Sequence, residues 1–170
     1  MLRLVRPNKE HKMQALDFKQ EFFGNNEKII NGSELLDQME NYEEWLVSVT
    51  NNISEETVNP AWVVTDTFFA VNESNEIVGI IDLRHTLNDF LKDFGNCGYS
   101  VRPSERRKGY ATEMLRQILD VARESGMTEL HLSVERDNEP SIKTIISNGG
   151  VYVRSFEFEN EMADIYRIGL

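Results

Sequence analysis

The sequence predicts an α+β fold, a central mixed sheet flanked by helices, and three observations carry that prediction. The first sixty residues are helical in pattern, and strand-like runs take over after Pro60. Three strand segments then follow one another without a helix between them. Residues 110–170 alternate helix, strand, helix and a final hairpin. The order is β, α, α, β, β, β, α, β, α, β, β, with about seven strands, mostly antiparallel, in one domain of 170 residues.

Residues 2–6 alternate apolar and basic side chains and stop at Pro7. They read as a strand, because a signal peptide would need an apolar stretch that is absent here. Residues 8–23 read as a helix with Met13, Leu16, Phe18 and Phe22 on its apolar side. A second helix is expected from an N-cap at Ser33, with Glu34 in its first turn and Leu35, Met39, Tyr42, Leu46 and Val49 at helical spacing. Segments 62-WVVTDTFFAV-71 and 77-IVGIIDLRH-85 flank the turn 72-NESNE-76 and form a hairpin. Residues 87–94 read as a short helical loop and 97–101 as a strand. The strongest helix spans 110–125, where Ala111, Leu115, Ile118, Leu119 and Ala122 share a face and Gly126 is the stop. Strand 129–134, helix 139–148 and the hairpin 150–158 with 163–170 complete the chain.

The net charge is −11, from 18 basic and 29 acidic residues. Such a surface repels nucleic acid and anionic membranes and favours cationic partners. No apolar run approaches the roughly 20 residues needed to span a bilayer. Cys97 is the only cysteine, which excludes an internal disulfide, and these points together suggest the cytoplasm. His11 and His131 show no metal-ligand spacing, and no metal is expected.

Against this acidity stands the cationic stretch 102-RPSERRKGYATEML-115. It links a strand to the start of the strongest helix, where unpaired amides and the positive dipole end make a phosphate site. Gly109 allows close approach to the backbone, and Arg106, Arg107 and Lys108 add charge where a pyrophosphate would lie. A solvated basic turn is the plain alternative. Neither GxxxxGK[ST] nor a GxGxxG after the first strand is present.

The run Arg106-Arg107-Lys108-Gly109-Tyr110-Ala111 resembles the acyl-CoA-binding motif of the GNAT family of N-acetyltransferases: Arg or Gln, two residues, Gly, one residue, Gly or Ala. The preceding 99-YSVRPSE-105 and the downstream 138-NEPSIKTIISNGGVY-152 match further parts of the family pattern. The stretch 83-LRHTLNDFL-91 suggests a bacterial subgroup of predicted acetyltransferases. The resemblance implies a GNAT fold, with the sheet splayed between strands 4 and 5 by a bulge in strand 97–101. It implies acetyl-CoA as donor, its pyrophosphate on the amides of residues 107–112, Tyr110, Ala111 and Thr112 included. The pantetheine would run beside Tyr99 and Val101, near Asn138 and Ser141, with the Val101 N–H facing the thioester carbonyl. Asn138 also reads as the N-cap of the last helix, and both roles can hold at once. The family also allows a homodimer.

The implied reaction is direct attack of an amine on the thioester in a ternary complex. An alkyl amine has a pKa of about 10.4 and must first lose a proton, and His85 and Glu135 are the candidate bases. A histidine or an acid at a strand end is equally read as an ordinary surface residue. The Tyr that many members place seven residues after the Asn is Ile145 here. Tyr152 and Tyr166 are distant substitutes. Cys97 reads as a core residue rather than an acetyl carrier, and Trp45, Trp62, Phe68 and Phe69 as core or pocket wall. Two rivals stand beside the N-acetyltransferase: a catalytically impaired acyl-CoA-binding sensor or interaction module, and a transferase for longer acyl groups. The amine acceptor is not encoded in a motif, although the acidity favours a cationic one.

Overall fold

The computed structural model describes residues 1–170. The elements are β1 (Arg3–Val5), α1 (Lys12–Gly24), α2 (Tyr42–Asn51), β2 (Thr65–Val71), β3 (Ile77–Arg84), β4 (Tyr99–Val101), α3 (Tyr110–Glu124), β5 (Glu129–Glu135), α4 (Glu139–Ser147), β6 (Val151–Phe158) and β7 (Glu161–Gly169). Their order is the one expected from sequence. β1-β2-β3-β4 form one sheet and β5-β7-β6 another, and every ladder is antiparallel.

β4 and β5 share no ladder. The two sheets meet at one isolated bridge, Gly95 with Leu132. Asn96 holds the junction. Its N–H donates to His131 O at 2.7 Å, its Oδ1 accepts the His131 N–H at 2.9 Å, and its Nδ2 donates to Arg84 O at 3.0 Å. Beyond Asn96 the chain follows β3 alone, so the sheets diverge. Of the strand expected over 97–101, only Tyr99, Ser100 and Val101 pair in constant register, with Ile81, Ile80 and Gly79; the irregularity lies before them, where the Asn96 N–H turns to His131 and the Gly98 N–H bonds to the Asp82 side chain. The register shifts lie at Ala70/Val71 and Tyr152/Arg154.

Two cores lie on opposite faces of the β2–β3 hairpin. Alternation along β2 sends Phe68 and Ala70 to one, with Met114, Leu115 and Ile118 of α3. It sends Phe69 and Val71 to the other, with Phe18, Phe22 and Trp45 of α1 and α2. Both faces of β2 and β3 are buried, so 68-FFAV-71 and 77-IVGII-81 are unbroken apolar runs where a half-buried strand would alternate.

The second helix starts later than the sequence suggests. Asn41 is its N-cap, accepting the Glu44 N–H at 3.0 Å. Residues 33–40 are turns, and the positive φ of Glu34 (49°) and Leu35 (72°) excludes a helix there. The turns are pinned by tertiary bonds: the Trp45 indole donates to Ser33 O at 2.8 Å, and Asp37 Oδ2 accepts the Ile30 N–H at 2.7 Å. Met13 is exposed, and Ala15 joins Phe18 and Phe22 on the buried face of α1. In α3, Met114 is fully buried while Ala111 is only partly so. Residues 87–94 form turns rather than a helix. No helix is long and apolar enough to cross a membrane.

Candidate functional site

The divergence of β4 from β5 opens a cavity of about 600 Å³. Cys97, Gly98 and Tyr99 line one wall, and Leu132 to Glu135 line the other. Asn138, Ser141 and Ile145 of α4 close one side. The Tyr99 side chain reaches across the gap, its hydroxyl 2.7 Å from Ser141 Oγ.

Ladder alternation decides which amides face this gap. Arg102 N–H donates to Val78 O and Asp82 N–H to Gly98 O, so even-numbered residues of this segment bond to β3. The N–H groups of Tyr99 and Val101 therefore point away from β3, on the side where a continuous sheet would place its next strand.

Past Val101 the chain makes a short 3₁₀ turn, Pro103–Glu105, and enters α3 through Gly109. Arg107 and Gly109 have φ of 66° and 81°, and α3 has no side-chain cap. The first bond into the helix is Glu113 N–H to Gly109 O. The six N–H groups from Arg107 to Thr112 consequently have no protein acceptor. A Cβ on Gly109 would meet no atom within 4 Å, so the concave side of this run is open. The loop cations are not equivalent. Arg106 makes a two-pronged pair with Glu27 (2.9 and 2.7 Å), holding that carboxyl below its usual range. Lys108 pairs with Glu105 at 2.6 Å, and Arg107 is exposed without an ion pair. Asn138 caps α4, accepting the Ser141 N–H at 3.3 Å, and also lines the cavity.

The candidate bases separate. Glu135 ends β5 and lines the cavity, exposed. His85 does not line it: its Nε2 is 2.6 Å from Asp66 Oδ2, and Arg6 holds the other oxygen of Asp66 at 2.7 Å. Strand parity is the reason. Arg84 lines the cavity, so the next residue turns to the opposite face. Ile145, 1% exposed, stands in the cavity wall. Tyr152 bonds to Ser155 and Tyr166 is buried beside it, and neither lines the cavity. Burial pushes the Cys97 thiol well up, so it stays protonated at neutral pH.

One cluster lay outside the sequence reading. Arg84 NH2 is 3.3 Å from Asp82 Oδ2 and 4.0 Å from Glu34 Oε2, and Arg84 NH1 donates to Gly95 O. Asp82 is fully buried and accepts the Gly98 N–H at 2.7 Å, while Glu34 accepts the Trp62 indole N–H at 3.0 Å. Burial, and then the charge of Asp82, push the Glu34 carboxyl up to about 7 against the pull of Arg84. Burial also raises Asp82. The sequence signal was a carboxylate inside the apolar run 77-IVGIIDLRH-85. Its partner Glu34 was hidden by the helix expected around it. No group of three or more His, Cys, Asp or Glu is arranged to hold a metal ion.

Residues 32–145 match the model of the acetyltransferase (GNAT) family. No curated protein sequence matches the chain. Among solved structures it is similar to a GNAT-family acetyltransferase from Streptococcus pneumoniae, at 14% identity and TM-score 0.73, covering 100% of both chains. RimL, a ribosomal α-N-protein acetyltransferase solved with coenzyme A, gives 14% identity and TM-score 0.73, covering 99% of this chain and 94% of that one. The microcin C7 self-immunity acetyltransferase MccE, solved with acetyl-CoA and AMP, gives 15% and 0.70, covering 99% and 92%. At these identities the likeness speaks for the fold.

Proposed function

Since the chain belongs to the acetyltransferase (GNAT) family, we propose that it moves an acetyl group from acetyl-CoA to a primary amine by direct attack in a ternary complex. The observation that carries this reading is the run of six unpartnered amides, Arg107 to Thr112, at the start of α3. Backbone donors at an uncapped helix N-terminus suit a diphosphate. Gly109 leaves their concave side clear, and Arg107 is the cation ready to pair.

The pantetheine arm follows the gap, an added strand on the outward amides of Tyr99 and Val101. Asn138 and Ser141 flank it from the first turn of α4. The Val101 N–H polarises the thioester carbonyl and stabilises the oxyanion formed on attack. The acceptor arrives as an ammonium ion, and Glu135 is the cavity carboxylate that takes its proton, directly or through water. The amine nitrogen then bonds to the acetyl carbon, the carbon–sulfur bond breaks, and the second proton of the nitrogen passes to the departing thiolate or to water. The leaving thiolate, of pKa about 8.5, departs without strong acid assistance, which suits an apolar Ile145.

Calorimetric titration with coenzyme A, for wild type and Gly109→Val, tests the donor site. A fall of about tenfold or more in affinity is expected, as a branched side chain covers the amides. Unchanged affinity in a folded variant sinks the placement. Ile145 also favours a second reading, an acyl-CoA-binding module with impaired catalysis. Thiol release from acetyl-CoA over an amine panel decides between them: turnover supports the transferase, and binding without turnover the module. Within the transferase reading, Glu135→Gln lowers kcat about 100-fold while coenzyme A affinity stays level. An unaltered kcat removes Glu135 as the base.

A further inference from the structure

One wall of the cavity is aromatic. Trp62, Phe90, Phe94 and Phe158 run in a chain with successive ring centroids 6.4, 5.5 and 5.3 Å apart. Phe90 is 68% exposed and Phe158 48%, so these two rings are not held there by core packing, and Trp62 and Phe94 are partly exposed beside them. Contiguous exposed rings in a concave wall mark a ligand surface.

The same cavity is anionic. Glu135, Glu159 and Glu161 line it, and none has a cationic partner. Arg84 is the one cation in the lining; its guanidinium lies 3.3 Å from Asp82 and 4.0 Å from Glu34, donates to the Gly95 carbonyl above the face of Trp62, and keeps its unpartnered Nε buried out of a ligand's reach. No free cation remains to receive a carboxylate. A free amino acid would therefore set its own carboxylate against three unpaired ones. A polyhydroxylated amine would press hydroxyls against phenyl rings that return no hydrogen bond. A ring or alkyl chain carrying an ammonium group matches both features, since carboxylates and ring faces each attract the cation.

We propose that the acceptor site takes a small hydrophobic primary amine, an arylalkyl- or alkylamine without a carboxylate. The identification of this amine as an acceptor rests on the acetyltransferase reading above. The aromatic wall binds the hydrocarbon part, and the carboxylates draw in the ammonium.

Direct binding in the presence of coenzyme A tests the site without relying on turnover. The probes are 2-phenylethylamine, phenylalanine and ethanolamine, titrated by calorimetry. The phenyl ring sets 2-phenylethylamine apart from ethanolamine and the missing carboxylate sets it apart from phenylalanine, so it is expected to bind at least about tenfold more tightly than either. Phe90→Ser and Phe158→Ser, both at exposed positions, should each weaken it several-fold and leave ethanolamine unaffected, with thermal melts confirming the fold. Equal binding of phenylalanine or ethanolamine overturns the proposal, as does an unchanged affinity in both variants. Thiol release then separates the two readings. Binding of 2-phenylethylamine without acetyl transfer removes the transferase and keeps the site. Transfer to ethanolamine, or to a peptide amine, without 2-phenylethylamine binding keeps the transferase and removes the site.

Discussion

Gly109 and Glu34 show how differently two residues can be read from a sequence. Gly109 sits in a local motif, and its φ of 81° lies in the left-handed region that favours glycine. Glu34 acquires its character only from partners on β3, remote in sequence and joined to it by folding. Its carboxyl is raised from 4.5 to about 7, chiefly by burial. A folded-state pKa above the unfolded one stabilises fully below the unfolded value, and that stability is lost as pH rises through about 7. The loss amounts to about 3 kcal/mol at most. Between pH 5 and pH 8 the melting temperature of wild type should therefore fall relative to Glu34→Gln, which cannot ionise. Parallel curves for the two proteins would show that Glu34 does not bear this cost. The misplacement of His85 has a residue-scale cause too: parity along β3 is fixed by pairing, and a strand end read alone does not show which face it presents.

The elements most legible in the sequence were those with strong internal periodicity. The apolar face of α3, and the alternation and turn of the β2–β3 hairpin, were readable because each element's own residues define it. The start of α2 was not, because Trp45 pulls Ser33 and Glu34 into a turn through bonds to their carbonyls. Asn41 does the capping that Ser33 was expected to do, and Asn41→Ala should cost about 1 kcal/mol in denaturant unfolding. The junction of the sheets depends on one side chain. Asn96, 4% exposed, bonds to both Arg84 and His131. Asn96→Ala leaves buried main-chain groups of both strands unpaired, at about 2–4 kcal/mol. Denaturant midpoints check this, and a loss below about 0.5 kcal/mol would mean that the bridge at Gly95 suffices alone.

Over the whole molecule, the order of elements and the parting of the strands were foreseeable, the first from pattern and the second from family resemblance. The aromatic wall of the cavity was not. Its rings come from segments around residues 62, 90 and 158, and folding alone assembles them. The proposed diphosphate site before α3 has an electrostatic consequence for the protein in solution. Glu27 and Glu105 already neutralise Arg106 and Lys108, so two of its three cations arrive with resident counter-anions. Coenzyme bound at that proposed site would exchange carboxylate for phosphate at those positions, with little release of bulk ions. Affinity for coenzyme A should accordingly respond to added salt as though one charge, that of Arg107, faced the diphosphate. Glu27→Gln should steepen that response, and titrations from 50 to about 300 mM salt read it directly. In a chain so rich in acid, two of its own carboxylates would act as placeholders for the ligand, keeping the loop in shape and other anions out until the diphosphate displaces them.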